Sequence, residues 1–290
     1  MSMIRTDAIV VGTGLAGLAA ARRLSERGKS VILVDHVDDT ADLLEMPLVG
    51  PTVFNREPTT GSELFRAALS DLQRAGVLYD QTLFVESVEQ REDGVVVHAD
   101  TLTAESNALI FAPNGTEPGN HPALPPQLAG FGLSYSAGSD APFFRQARVA
   151  VYGQSFRAIE QAWIVSRVAA ETHILLRDSV VNGNAALLAD LRNTPNVTFY
   201  TSATVTGARS ADDKRLQEIR ADTASGPVTL PVVGIFIAND LFPEDRVLQG
   251  TARRYPIVPA GLAAGVAYWK HSELVLDGFR AADVILSGRP

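Results

Sequence analysis

The sequence contains no cysteine. That absence excludes disulfides, thiolate metal sites and any cysteine nucleophile. Aromatic residues are sparse at 7%, and the charge leans acidic, with a formal net charge of -8. A chain without clustered Lys and Arg cannot displace the counterions of a phosphate backbone, so nucleic acid is excluded as a partner class. Long apolar runs are also missing, since none approaches the roughly 20 residues needed to cross a bilayer. The first apolar segment, Ala8 to Val11, is too short and too early for the core of a signal peptide. These absences predict a soluble cytoplasmic protein that uses no membrane. His121, His173 and His271 are scattered, with none at metal-ligand spacing, so no metal site is expected.

What is present is apolar bulk: 46% of 290 residues, enough for a large core in two medium domains. Ala8 to Val11 reads as a strand that runs into Gly12. Leu15, Leu18, Ala19, Ala21 and Leu24 then recur at near-helical spacing, up to Gly28. Ser30 to Val34 is a second strand closing at Asp35, which completes a βαβ unit. Residues 36–62, with Pro47, Pro51 and Pro58, read as loop with short pieces, followed by a helix from Ser62 to Ala75. Leu83 to Val88 and Val95 to His98 flank Asp93-Gly94, a hairpin signal that predicts a small antiparallel meander. After the strand Ala108 to Ala112, five prolines up to Pro126 predict an extended crossing between domains. A second βαβ unit opens at Arg148 to Tyr152, turns at Gly153, continues as a helix from Phe156 to about Ala170, and closes with His173 to Leu176. Val197 to Leu230 reads as mixed strand, and Gly234 to Ala238 as a buried strand.

Two glycine turns carry the chemistry. Gly12-Thr13-Gly14-Leu15-Ala16-Gly17 matches the dinucleotide fingerprint in its required context, after a strand and opening a helix, with Asp35 closing the next strand. In that pattern Gly12 permits the tight turn, and Gly14 lets the backbone amides at Leu15 and Ala16 approach a pyrophosphate. Gly17 allows close helix packing, and Asp35 accepts from ribose hydroxyls. The second turn, Gly153-Gln154-Ser155-Phe156-Arg157-Ala158, has Ser155 where the second glycine belongs, and its Cβ would crowd a pyrophosphate. A rival reading of Ser155 is a nucleophile elbow, which Arg157 in place of the second elbow glycine argues against.

With these motifs in place the chain resembles bacterial low-molecular-weight thioredoxin reductase. The resemblance rests on Gly12 to Gly17, Thr60-Gly61-Ser62-Glu63-Leu64, Ala108 to Ala112, Ile159-Glu160-Gln161-Ala162 and Gly234-Ile235-Phe236-Ile237-Ala238. It implies an α/β fold of two Rossmann-like nucleotide-binding domains, the second inserted into the first, with small antiparallel meanders. An FAD-binding-like domain would comprise 1–116 and 241–290, and an NAD(P)-binding-like domain 117–240. A homodimer is implied as well. Where the family has Cys-x-x-Cys-Asp this chain reads Ser136-Ala137-Gly138-Ser139-Asp140, and a hydroxyl cannot exchange with a disulfide, so thioredoxin is not its substrate. The family's basic cluster reads Leu176-Arg177-Asp178, and Asp178 would repel a 2′-phosphate, so NADPH binding is disfavoured. The family's Ala-Thr-Gly turn reads Ala112-Pro113-Asn114-Gly115. Its C-terminal Ala-Gly-Asp reads Ala264-Gly265-Val266, in a stretch with unfamiliar aromatics at Tyr255, Tyr268 and Trp269.

The sequence therefore points to an FAD-dependent oxidoreductase or oxidase acting directly on a small organic substrate. FAD contacts are expected at Gly12, Gly14, Leu15, Ala16, Gly17, Asp35, Gly115, Gly265 and Val266. Proton handling is expected from Asp140, His271, Ser136 and Ser139, with His271 in a stretch that by resemblance faces the flavin or a dimer partner. The alternative is a non-redox cyclase, isomerase or binding protein that reuses the cleft. A ferredoxin-NADP reductase also lacks the cysteines, but it depends on the NADPH site that Ser155 and Asp178 compromise.

Overall fold

A computed structural model of the chain describes residues 2–35, 41–44, 46–113, 115–116, 124–128, 130–211, 215–238, 242–243, 246–248, 251, 256–267 and 270–288. The fold divides into two compact units, Met1–Thr116 with Leu241–Pro290, and Glu117–Asp240. His121, Asn114, Tyr255, Tyr268 and Trp269, singled out in the sequence, lie outside the described residues.

The first unit opens with β1 (Ser2–Val11), α1 (Leu15–Glu26) and β2 (Val31–Asp35). A short α2 (Ala41–Leu44) and a longer α3 (Gly61–Arg74) follow. α3 begins where the sequence places a helix because Thr60 and Glu63 form a reciprocal capping box, which satisfies two otherwise orphaned amides. β3 (Leu78–Arg91), β4 (Gly94–Ala99) and β5 (Leu102–Phe111) come next, with a two-residue β6 (Gly115–Thr116). The expected hairpin is there, with longer strands than the turn signal alone suggests: Arg91 pairs with Gly94, and β4 runs antiparallel to both β3 and β5.

The second unit contains β7 (Leu133–Ser134), α4 (Ala137–Asp140), β8 (Arg148–Gly153), α5 (Ser155–Ser166) and β9 (Glu171–Leu176). It continues with α6 (Ala185–Arg192), β10 (Val197–Tyr200), β11 (Thr204–Ala211), β12 (Arg215–Thr223), β13 (Gly226–Leu230) and β14 (Gly234–Ala238). Its parallel sheet has the order β10-β9-β8-β14-β7, beside an antiparallel sheet β11-β12-β13. Every residue of β14 is buried, which explains why it reads as an unbroken apolar run.

The chain then re-enters the first unit. β15 (Phe242–Pro243) pairs antiparallel with β6, and β16 (Ile257–Pro259) adds in parallel to β5. α7 (His271–Ser287) completes the unit. In that unit β1 pairs in parallel with both β2 and β5, and β2 pairs in parallel with β3. Ile9, Val11, Ile32, Val34, Leu109 and Phe111 share one buried cluster from these strands, each side chain contributing about 1.5–3 kcal/mol by leaving water. The sequence reading missed α7, although Leu274, Val275, Gly278, Ala281 and Ala282 form its buried face. Gly278 is what seats this helix on α1, because a Cβ there would lie 2.1 Å from the Ala16 carbonyl oxygen.

Candidate functional site

The carboxyl ends of β1 and β5 meet at Gly12. Its φ of +106° is a conformation that side chains rarely adopt, and an added Cβ would stand 1.8 Å from the Ala112 carbonyl oxygen. Gly17 is held as tightly, its missing Cβ being 1.9 Å from the Gly12 carbonyl oxygen. Gly14 is the N-cap of α1 and offers no side-chain cap. The first turn amides of Leu15, Ala16 and Gly17 therefore have no intrahelical acceptor, and they mark the positive end of a 12-residue helix. Anions with closely spaced oxygens suit such an end.

A small cleft of about 40 Å³ opens at this point, lined by Gly14, Leu15, Ala16, Met46, Pro113 and Leu262, with Leu43, Ala112, Gly261 and Leu274 beside them. Leu43, Met46, Leu262 and Leu274 are not marked in the sequence, since nothing local signals a residue that reaches a site from a distant segment. Met46 is brought there by Gly61, at which a Cβ would meet the Leu43 carbonyl oxygen at 1.7 Å.

Asp35 closes β2 beside the fingerprint turn. It is 3% exposed, and its two carboxylate oxygens accept from Thr13, one from the backbone N–H at 3.1 Å and one from the hydroxyl at 2.8 Å. Tyr79 feels the same charge: burial pushes its phenol up to about 12, with Asp35 and Asp80 adding to the rise. Gly115 is buried in β6, paired with Pro243. Gly265 takes a left-handed φ of +85° after a short 3-10 turn, and the Val266 amide donates to the Gly261 carbonyl at 3.0 Å. Val266 supplies no carboxylate at a place where the resembling family has one.

His271 is the first residue of α7, and its Nε2 is buried without a hydrogen-bond partner. Burial holds its pKa below the ordinary histidine value, so the ring is neutral near pH 7. The carboxylate of Asp277, one and a half turns along α7, accepts from the Gly261 amide at 2.8 Å and so fixes the helix beneath the cleft wall.

Ser136, Ser139 and Asp140 come together in the second unit. Ser136 is the N-cap of α4, its hydroxyl oxygen accepting from the Ser139 amide at 3.2 Å. Asp140 accepts from the Ser134 hydroxyl at 2.8 Å, and that same oxygen receives the Ser136 amide at 3.1 Å. This is a tight serine-carboxylate cluster around a single helical turn. Among the described residues no group of His, Asp and Glu could hold a metal ion.

The second glycine turn differs in length as well as composition. Three residues, Gly12, Thr13 and Gly14, separate β1 from α1, whereas only Gln154 separates β8 from α5. The helix thus starts at Ser155, one residue earlier than the sequence suggests. Gly153 stays in the strand, packed so closely on β14 that a Cβ would lie 1.8 Å from the Ala238 carbonyl oxygen.

The pattern that describes pyridine nucleotide-disulphide oxidoreductases matches residues 6–263. Among curated relatives, the bifunctional thioredoxin reductase/thioredoxin of Mycobacterium leprae is 26% identical over 84% of this chain, which spans 53% of that protein. The thioredoxin reductase of Mycolicibacterium smegmatis is also 26% identical, over 84% of this chain and 78% of its own length. Among solved structures, thioredoxin reductase from T. acidophilum superposes with a TM-score of 0.86 at 20% identity, covering 98% of both chains. The fold is that of a thioredoxin reductase, on a chain with no cysteine.

Proposed function

The chain belongs to the pyridine nucleotide-disulphide oxidoreductase family, and we propose that it holds FAD in its first unit and oxidises a small organic substrate there without a dithiol relay. The observation that carries this reading is the contrast between an intact fingerprint turn at an open helix end and a chain devoid of thiols. The residues fit the group: Gly12, Gly14 and Gly17 bring backbone close, and the α1 amides would receive the pyrophosphate. Leu43, Met46, Leu262 and Leu274 would wall the cleft and exclude water. FAD bound there would supply the hydride acceptor, reoxidised by oxygen or another acceptor.

The protein's own work is binding and proton management. His271, neutral and half-buried, has one buried ring nitrogen without a partner and can take a proton in the first unit. Asp140, with Ser136 and Ser139, is the candidate acid in the second unit. NADPH has no comparable seat, because the second turn is one residue long and is followed by Ser155 in place of glycine.

The test is the visible absorption spectrum of the purified protein, then titration with FAD, then anaerobic addition of NADPH. Flavin bands that NADPH fails to bleach are expected. A colourless protein that ignores FAD would sink the reading and favour the second one, a non-redox enzyme or binding protein using the cleft. That second reading is favoured by one specific feature, the apolar wall together with Val266 at the family's carboxylate position. The homodimer implied by the resemblance is checked by light scattering on the same sample.

A further inference from the structure

We propose that Asp277 and Arg280 of α7 are positioning residues for the cleft of the first unit: they hold the segment Pro259 to Gly261 and, through it, the wall residue Leu262. This rests on the flavin reading above and concerns how one wall of that site is set from behind.

The geometry starts where β16 ends. The Ala260 amide still donates across to β5, to the Phe111 carbonyl at 2.9 Å. At Gly261 the chain turns out of the sheet with a left-handed φ of +60°, buried and so close to α1 that a Cβ would stand 2.9 Å from the Ala16 methyl group. A buried amide past the end of a strand needs an acceptor other than the ladder. Asp277 is that acceptor: one carboxylate oxygen receives the Gly261 amide at 2.8 Å, and the other receives Arg280 Nε at 2.6 Å. A second nitrogen of the same guanidinium donates to the Pro259 carbonyl at 2.9 Å. One ion pair on α7 therefore grips the backbone on both sides of Ala260, and hydrogen bonds to charged groups are the stronger class.

The two members differ in depth. The Asp277 side chain is 13% exposed and reaches inward, whereas that of Arg280 is 50% exposed, so Asp277 carries most of the effect. The turn that bears Leu262 is closed at its far end by its own backbone, the Gly265 and Val266 amides donating to the Leu262 and Gly261 carbonyls at 3.0 Å. Its near end is closed by α7. Gly261 and Leu262 line the cleft, all of whose lining residues are apolar or glycine, so the charged pair acts on the cleft only through them. In a space of about 40 Å³ a wall displaced by a fraction of an ångström alters the fit of whatever enters, because packed interiors transmit such shifts.

The experiment uses the full-length protein at a temperature where circular dichroism shows each variant to be folded. It measures FAD affinity by fluorescence and, without FAD, amide hydrogen exchange in peptides that span Gly261. Asp277→Ala is expected to weaken FAD about tenfold, as loss of a charge-assisted contact implies, and to speed exchange at Gly261. Asp277→Asn keeps an oxygen for the Gly261 amide and is expected to bind FAD within about twofold of the parent, a rescue that a mere space-filling role would not require. Arg280→Met, which keeps the stem and loses both bonds, should weaken FAD about threefold and also speed exchange. The control is Asp283→Ala, which removes another α7 carboxylate, one paired with Arg23 of α1 at 2.9 Å, and should leave both readouts at the parent's values.

An Asp277→Ala variant that binds FAD as the parent does, or one whose loss is matched by Asp283→Ala, would overturn the inference, the second because any weakening of the α7 seat would then suffice. If Asp277→Ala does not fold, Arg280→Met decides, and parental values in both of its readouts overturn the inference. A parent protein that binds no FAD removes the flavin reading alone. Hydrogen exchange then decides the rest: faster exchange at Gly261 in Asp277→Ala and not in Asp283→Ala upholds the hold of α7 on the cleft wall, and unchanged exchange overturns it.

Discussion

The two βαβ units of this chain start from the same plan and end with different turns. In the first, three residues lie between strand and helix, the glycine at the turn has a positive φ, and a buried threonine-aspartate pair pins the turn. In the second, one residue lies between them, and the corresponding Gly153 is a strand residue in close contact with Ala238. Neither helix has a side-chain cap, so the distinction lies in the turn and not in the helix end. A parallel sheet with a crossover helix tolerates either turn because strand pairing and core burial do not depend on it. Binding, in contrast, depends on two or three backbone positions.

The most severe way to break this comparison is to place a methyl group at each turn glycine. Gly12→Ala meets both a backbone carbonyl and a disfavoured φ, and is expected to cost about 3 kcal/mol or more and to abolish FAD binding. Gly153→Ala meets a carbonyl without the dihedral strain, and is expected to cost about 2 kcal/mol while leaving FAD affinity unchanged. Denaturant unfolding and FAD titration on the same samples give both numbers. Equal effects on FAD would mean that the two turns are not functionally distinct.

How much of this was legible in the sequence follows from range. Gly12 to Gly17, the β1–α1–β2 unit and β14 are local patterns of glycine, period and apolar run, and they read directly. The Thr13–Asp35 pair was half legible: Asp35 stood out, but its partner 22 residues earlier did not, because a threonine inside a fingerprint carries no signal of its own. α7 was harder to read because three of the five residues on its buried face are Gly or Ala, which carry little apolar signal. The heptad-like spacing of Leu274, Val275, Gly278, Ala281 and Ala282 would have found it. The cleft wall was illegible, since Met46 reaches it through the close seat that Gly61 gives to the Leu43 carbonyl.

Acid offers a smaller contrast, between one half-buried histidine taken from each unit. Burial holds His271 below its ordinary pKa in the first unit. Burial also lowers His173 in the second, reinforced by Arg148 and opposed by Glu171. In both cases the unfolded chain takes up a proton more readily than the folded one. Stability is therefore unaffected well above the ordinary histidine pKa of about 6.5 and is lost as pH falls through it towards the lowered folded values. Unfolding midpoints followed from pH 8 downward, the titration range suited to histidine, should fall below about 6.5. His271→Gln and His173→Gln should each flatten part of that fall. A parent protein whose midpoint rises as the pH is lowered through this range would contradict the burial of both rings.

The smallest expected effects come from two longer helices that carry side-chain caps, one taken from each unit. α3 is closed by the Thr60–Glu63 box, and α6 by Asn184, whose side-chain oxygen accepts from the Ala186 and Leu187 amides. Thr60→Ala and Asn184→Ala should each cost about 1 kcal/mol of stability. Their effect on FAD need not be equal. Thr60 precedes Gly61, whose amide donates to the Met46 carbonyl, and Met46 lines the cleft. Among the described residues Asn184 has no such link within its own unit. Thr60→Ala is thus expected to shift FAD affinity by up to about twofold, a few tenths of a kcal/mol, and Asn184→Ala not at all. Matched stability losses with no difference in FAD affinity would show that the seat of Met46 is set by Gly61 alone and is indifferent to how α3 begins.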